Sequence, residues 1–125
     1  MGLSKWMAKR FGVGAGARAV AKGWNTISSQ NPDMKPTEIA EAYIKFRYGL
    51  TGETDLEKRV LLMVEKGAVI GPVSLAWEIF EAETLRGKSG RKLMDAHEAL
   101  WENRDAWEEI IEEELRKAGI DPELA

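Results

Sequence analysis

The chain has 125 residues, of which 44% are hydrophobic and 31% are charged, with a formal net charge of −3 and no cysteine. This length and composition predict one globular domain with a single core, and the missing cysteines exclude disulfides, thiolate-bound metals and cysteine nucleophiles. No apolar run reaches the roughly 18 residues of a membrane-spanning helix, and the lack of cysteine suits a reducing compartment. We therefore expect a cytoplasmic protein, with the membrane surface as an alternative location.

The charges divide the chain unevenly. Residues 1–30 contain five basic side chains and no acid, whereas the remaining residues hold all 21 acids. Two prolines and turn-forming residues follow at 31–36. We therefore predict a basic N-terminal arm at 1–30, a linker at 31–36 and a helical domain at 37–125.

The start of the arm has the pattern of a short amphipathic helix. On a helical wheel its large apolar residues share one sector, Lys5 and Lys9 lie opposite, and Arg10 lies at the margin. Glycines at 12, 14 and 16 each weaken a helix by about 1 kcal/mol relative to alanine, so we expect helix mainly before them. The residues predicted to contact a partner or a membrane are Leu3, Lys5, Trp6, Met7, Lys9, Arg10 and Phe11.

Several roles are open for this arm. It can pack on the body of its own chain, dock on another protein, or bind an anionic membrane or nucleic acid. Gly12 and Gly16, with Ala15 and Ala19, are small residues four apart, which would let a partner helix approach closely. We expect deletion of residues 1–29 to leave the body folded.

The body has helical periodicity throughout and is predicted to be all-α. Pro36 opens a helix that runs to about Tyr48, and a capping box at Thr54 and Glu57 opens a second helix that Gly67 ends. Pro72 opens a third helix to about Arg86.

The last predicted helix runs unbroken from Ser89 to Ala118, although the polar residues 102–106 are where it would bend or break, near Asn103. Gly119 followed by Ile120 predicts a glycine C-cap. The expected fold is a compact bundle of about four helices, preceded by the basic, partly helical arm. Its core is predicted around Ile44, Leu61, Trp77, Phe80, Leu100, Trp107 and Ile111.

The single histidine does not indicate catalysis. A helical carboxylate-bridged metal site needs Glu-x-x-His pairs, and Met94 stands three residues before His97 where the glutamate would be. We expect His97 to be a partly buried packing residue with one satisfied nitrogen. We expect no metal, no cofactor and no catalytic residue.

The densest acidic cluster lies on the last helix, at Glu108, Glu109, Glu112 and Glu113. Such a run is usually a solvated face. It could also receive the basic arm of this chain or of a neighbouring copy.

These observations favour a non-catalytic interaction or assembly protein, whose arm docks on a partner subunit or on its own acidic face. A protein partner or a homo-oligomer is expected. The alternative is a peripheral membrane protein that binds anionic lipid through the arm. Nucleic-acid binding is disfavoured, because Asp55 and Glu57 begin the helix that would approach the phosphates.

Overall fold

The computed structural model describes the backbone of residues 2–48, 62, 65–67 and 69–124, and the side chains of these residues except 2–11 and 48. Within them the chain is all-α, as predicted, with five helices rather than about four. Their bounds are α1 Gly2–Gln30, α2 Pro36–Tyr48, α3 Pro72–Leu85, α4 Gly90–Glu102 and α5 Arg104–Lys117. The helix predicted to begin at Thr54 lies outside the described residues, except for 62 and 65–67.

Helix α1 continues through all three glycines where the sequence predicted decay. Its inner face is buried, and the hydrophobic free energy of that burial exceeds the roughly 1 kcal/mol cost of each glycine. The charge boundary at residue 30 therefore does not coincide with the edge of the core. The buried α1 side chains are Val13, Ala17, Val20, Ala21 and Trp24.

Helix α2 begins at the predicted proline and packs beside α1. The backbone N–H of Lys35 donates to Glu38 Oε1 at 3.1 Å, which satisfies one donor at the helix start. The ring of Tyr43 lies so close to Gly23 that a Cβ there would be 2.3 Å from it. Only glycine allows this approach of the two helices.

Helix α3 is the centre of the bundle. It contacts each of the other four helices, and along its length only Glu83 is exposed. Ser74 Oγ accepts the backbone N–H of Gly71 at 3.0 Å and so helps to begin the helix after the predicted Pro72.

The continuous rod predicted from Ser89 to Ala118 is wrong, because Asn103 separates α4 from α5. Its backbone leaves the helical region at φ −107° and ψ 11°, and its side-chain amide donates to the carbonyl of Ala99 at 2.8 Å. The predicted C-cap is confirmed. Gly119 has φ 79°, and Ile120 is buried and donates its N–H to Leu115 O at 2.9 Å.

The predicted core is largely confirmed among the described residues. Phe80 is half-buried against the core, and Leu61 lies outside the described residues. The remaining predicted core residues are all buried: Ile44, Trp77, Leu100, Trp107 and Ile111.

Candidate interaction surface

Arg104 joins three helices at the junction of α4 and α5. Its guanidinium carbon lies 4.9 Å from the centre of the Trp77 ring and 4.5 Å from that of Trp101. Its Nε donates to Glu108 Oε1 at 2.7 Å. The cation is thus held between two indoles and a carboxylate, an arrangement that fixes the first turn of α5.

The aromatic cluster continues from this junction into the core. The rings of Trp77 and Phe80 are 5.9 Å apart, and those of Phe80 and Trp107 are 6.2 Å apart. Trp77 is 1% exposed, and its Nε1 has no hydrogen-bond partner among the described residues. The unpaired N–H costs stability, and the stacked Arg104 does not satisfy it because a guanidinium has no acceptor atom.

His97 lies on the surface, contrary to the prediction that it is partly buried. Its Nε2 accepts a hydrogen bond from Trp101 Nε1 at 3.0 Å, so one nitrogen is satisfied as expected. Since Nε2 is the acceptor, a neutral His97 carries its proton on Nδ1. No group of side chains that could hold a metal ion occurs within the described residues.

Glu78 lies half-buried on α3 beside this junction. Burial raises the pKa of its carboxyl, the neighbouring Glu81 raises the pKa further, and Arg104 lowers it. When it is ionised, the Glu78 carboxylate therefore adds negative charge near the junction, and its burial makes that ionised form less favourable.

The acidic face predicted on α5 is mostly occupied by ion pairs within its own helix. Glu108 pairs with Arg104 at 2.7 Å, Glu112 with Arg116 at 3.4 Å and Glu113 with Lys117 at 3.5 Å. Glu109 is exposed and makes no ion pair within the described part of the chain. These four residues share the outer side of α5, with one free carboxylate among them.

One basic residue of α1 does reach an acid of α5, but outside the predicted set. Arg18 Nη1 lies 3.3 Å from Oε1 of Glu114, a side chain that is 13% exposed. Further along, Asn25 Nδ2 donates to the carbonyl of Ala118 at 3.1 Å. The contact that lies later in α1 is also later in the chain on the α5 side, at Ala118 instead of Glu114. Helices α1 and α5 therefore run parallel.

Between residues 12 and 22 of α1, the exposed residues are all small or basic. Gly12, Ala15 and Ala19 are exposed, and Arg18 and Lys22 are exposed beside them. A Cβ at Gly12 would meet nothing within 4 Å. We call Gly12, Ala15 and Ala19 the small-residue face.

The backbone of all the predicted arm contacts belongs to α1. The side chains of Leu3, Lys5, Trp6, Met7, Lys9, Arg10 and Phe11 lie outside the described residues. Their role as a contact surface remains a prediction.

The structure adds an exposed row on α4 that sequence reasoning missed. Met94 is 72% exposed and Trp101 is 51% exposed. With the exposed His97 between them they form the α4 strip, spaced three and four residues apart on one side of the helix. That spacing was visible in the sequence beside the inward row of the half-buried Leu93 and the buried Leu100.

Comparison with known proteins identifies no relative. The chain matches no protein-family model, no curated protein and no solved structure at a significant level of similarity. Among the described helices, none combines the length and the apolar character required to cross a bilayer.

Proposed function

We propose that this chain is a non-catalytic helical interaction protein whose N-terminal segment, residues 3–11, docks on a partner subunit. The observation that carries the proposal is the continuity of α1, whose residues 13–24 supply core side chains while the same helix extends back to Gly2. A docking segment attached to the core in this way loses less conformational entropy on binding than a free tail.

The charge of α1 indicates the chemistry of the partner. The helix carries five bases and no acid, so a complementary surface is acidic. The small-residue face lies on the other side of α1 from the apolar sector of residues 3–11 and would admit a second helix backbone at close range. Among the predicted acidic docking residues of α5, only Glu109 lacks an ion pair within the described residues, which favours an acidic surface elsewhere.

Protein contact is favoured over the lipid alternative by the small-residue face. An interfacial helix buries large apolar side chains in the headgroup region, and none faces outward on the described part of α1. A lipid contact would rest on residues 3–11 alone. We propose a cytoplasmic location, with a membrane surface as the alternative.

Site-specific photo-crosslinking tests the proposal. A benzophenone amino acid replaces Trp6 in the full chain in its native cells, and a matched variant carries it at the exposed Thr37 of α2. We expect one discrete protein adduct from position 6 and none from position 37. Adding Lys9→Glu and Arg10→Glu should remove the adduct, because the reversed charges repel an acidic partner.

Two results would contradict the proposal. Position 6 could yield no protein adduct, or an adduct that survives the charge reversals. Salt-sensitive sedimentation with anionic vesicles but not neutral ones, in the absence of protein adducts, would establish the lipid alternative instead.

A further inference from the structure

The α4 strip has the features of an unfilled docking face. Helix α4 buries a single residue, Leu100, whereas Met94 and Trp101 expose large apolar surfaces. Glu98 and Glu102 border the outer side of the strip, are exposed, and make no ion pair within the described residues. An apolar row beside free carboxylates suits a basic amphipathic helix.

We propose that the α4 strip receives the N-terminal segment of a second copy of this chain. This inference rests on the proposed function and names the partner of the docking segment. The segment supplies the complementary chemistry, because Trp6 and Phe11 belong to an apolar sector and every charge near them is positive.

Two bases of the segment, Arg10 and Lys5, differ in their position on the helical wheel. At about 100° per residue Arg10 falls between Trp6 and Leu3, inside the apolar sector and not at its margin. When that sector covers the strip, we therefore expect the guanidinium to lie on the strip itself, within reach of Glu98 or Glu102 at its border. Lys5 lies on the opposite side and contributes only long-range attraction, which salt screens. A guanidinium can also bind a carboxylate bidentately, so Arg10 is expected to dominate the charge contribution.

The two surfaces lie at the same end of the molecule. A Cβ at Gly14 would be 4.0 Å from Ile110, and Arg18 is 3.3 Å from Glu114, so α1 and α5 run in parallel register. Extending that register by 1.5 Å per residue places residue 8 of α1 level with Arg104, which stacks on Trp101. Because the N-terminal segment and the α4 strip lie at the same end of the molecule, two copies can form a two-fold dimer. In that dimer the strip of each copy receives the segment of the other.

Sedimentation equilibrium on charge-exchange variants of the full chain tests this dimer. We expect the unaltered chain to dimerise, and Arg10→Glu or Glu98→Arg alone to raise the dimer Kd at least about tenfold. An equimolar mixture of the two variants should recover the dimer, because both reciprocal contacts again join opposite charges.

Matched controls separate the local contact from net charge. Lys5→Glu makes the same charge change as Arg10→Glu, and Asp33→Arg, in the exposed turn before α2, makes the same change as Glu98→Arg. Both controls should shift the Kd by less than about threefold. Met94→Ser, an exposed position, should weaken the dimer with circular dichroism unchanged.

Three results would overturn the inference. These are a chain that stays monomeric at all concentrations, a dimer insensitive to Arg10→Glu and Glu98→Arg, and a mixture that fails to recover association. If position 6 still crosslinks a different protein, the proposed function stands and only the identity of the partner is wrong. If neither association nor adduct is found, both fail.

Discussion

At the scale of single residues, Gly23 shows where packing overrides helix propensity. A Cβ added there would lie 2.3 Å from the Tyr43 ring, whereas one at Gly12 meets nothing within 4 Å. We expect Gly23→Ala to lower the free energy of unfolding by about 1–3 kcal/mol through overpacking. Gly12→Ala should raise it by up to about 1 kcal/mol through helix propensity. Urea unfolding of both variants checks this, and a stabilised Gly23→Ala would show that α2 does not approach α1 so closely.

Within the part of the chain that the structure describes, Glu78 is a residue whose ionisation should affect stability. Its pKa is raised above 4.5 by burial first and by Glu81 second, so the folded state binds its proton more tightly than the unfolded state. Its contribution to stability is therefore present below pH 4.5 and is lost as pH rises through the folded-state pKa.

We consequently expect Glu78→Gln to stabilise the protein at neutral pH and to lose that advantage in acid. The control is Glu109→Gln, which is exposed and makes no ion pair within the described residues. Thermal unfolding across pH measures both. A Glu78→Gln gain that grows on acidification would contradict the stated cause.

At the scale of elements, the junction of α4 and α5 depends on Arg104. Its stacking on Trp77 and Trp101 and its bond to Glu108 connect α3, α4 and α5. We expect Arg104→Ala to lower the free energy of unfolding by about 1–2 kcal/mol, from two cation–π contacts and one partly buried ion pair. Arg116→Ala, which removes only an exposed pair with Glu112, should cost at most about 0.5 kcal/mol. Equal losses in urea unfolding would mean that the stacking adds no stability.

The elements also show what the sequence predicts well. Pro36 and Pro72 marked the starts of α2 and α3, and Gly119 marked the end of α5, because these residues restrict the backbone locally. The sequence indicated Asn103 as the place for a bend or break, but the continuous helix that was preferred is wrong. The polar residues around it permit a bend, but packing of α4 and α5 on α3 determines that one occurs.

The ion pairs of the surface were likewise predictable only where they form within one helix. The spacing of four between Glu112 and Arg116 already indicates a pair within one helix. The contact of Arg18 with Glu114 depends on how α1 lies along α5, which no local pattern gives. The exposure of Trp101 also depends on tertiary packing, because the other helices determine which side of α4 is covered.

At the scale of the molecule, α1 belongs to the core. Trp24 is 2% exposed and packs in the same core cluster as Trp77. We expect Trp24→Ala to cost about 3–5 kcal/mol, a large part of the stability of an ordinary domain. Trp101→Ala, at a position 51% exposed, should cost distinctly less, and thermal unfolding distinguishes them.

Removal of the whole helix should have a larger effect. We now expect deletion of residues 1–29 to abolish cooperative unfolding, in contrast to the expectation from charge alone, because it uncovers the faces of α3 and α5. A truncated chain that still unfolds cooperatively would show that the remaining helices form a sufficient core.

Paramagnetic relaxation between two copies tests the docking of the N-terminal segment most directly. The chain has no cysteine, so Ser4→Cys gives a single site for a spin label. Chains that carry the spin label but no ¹⁵N are mixed with ¹⁵N-labelled chains that carry no spin label. We expect broadening of the amide signals of Glu98 and Trp101 but not of Thr37. Unchanged signals across α4, or equal broadening at Thr37, would contradict docking of the segment on the α4 strip.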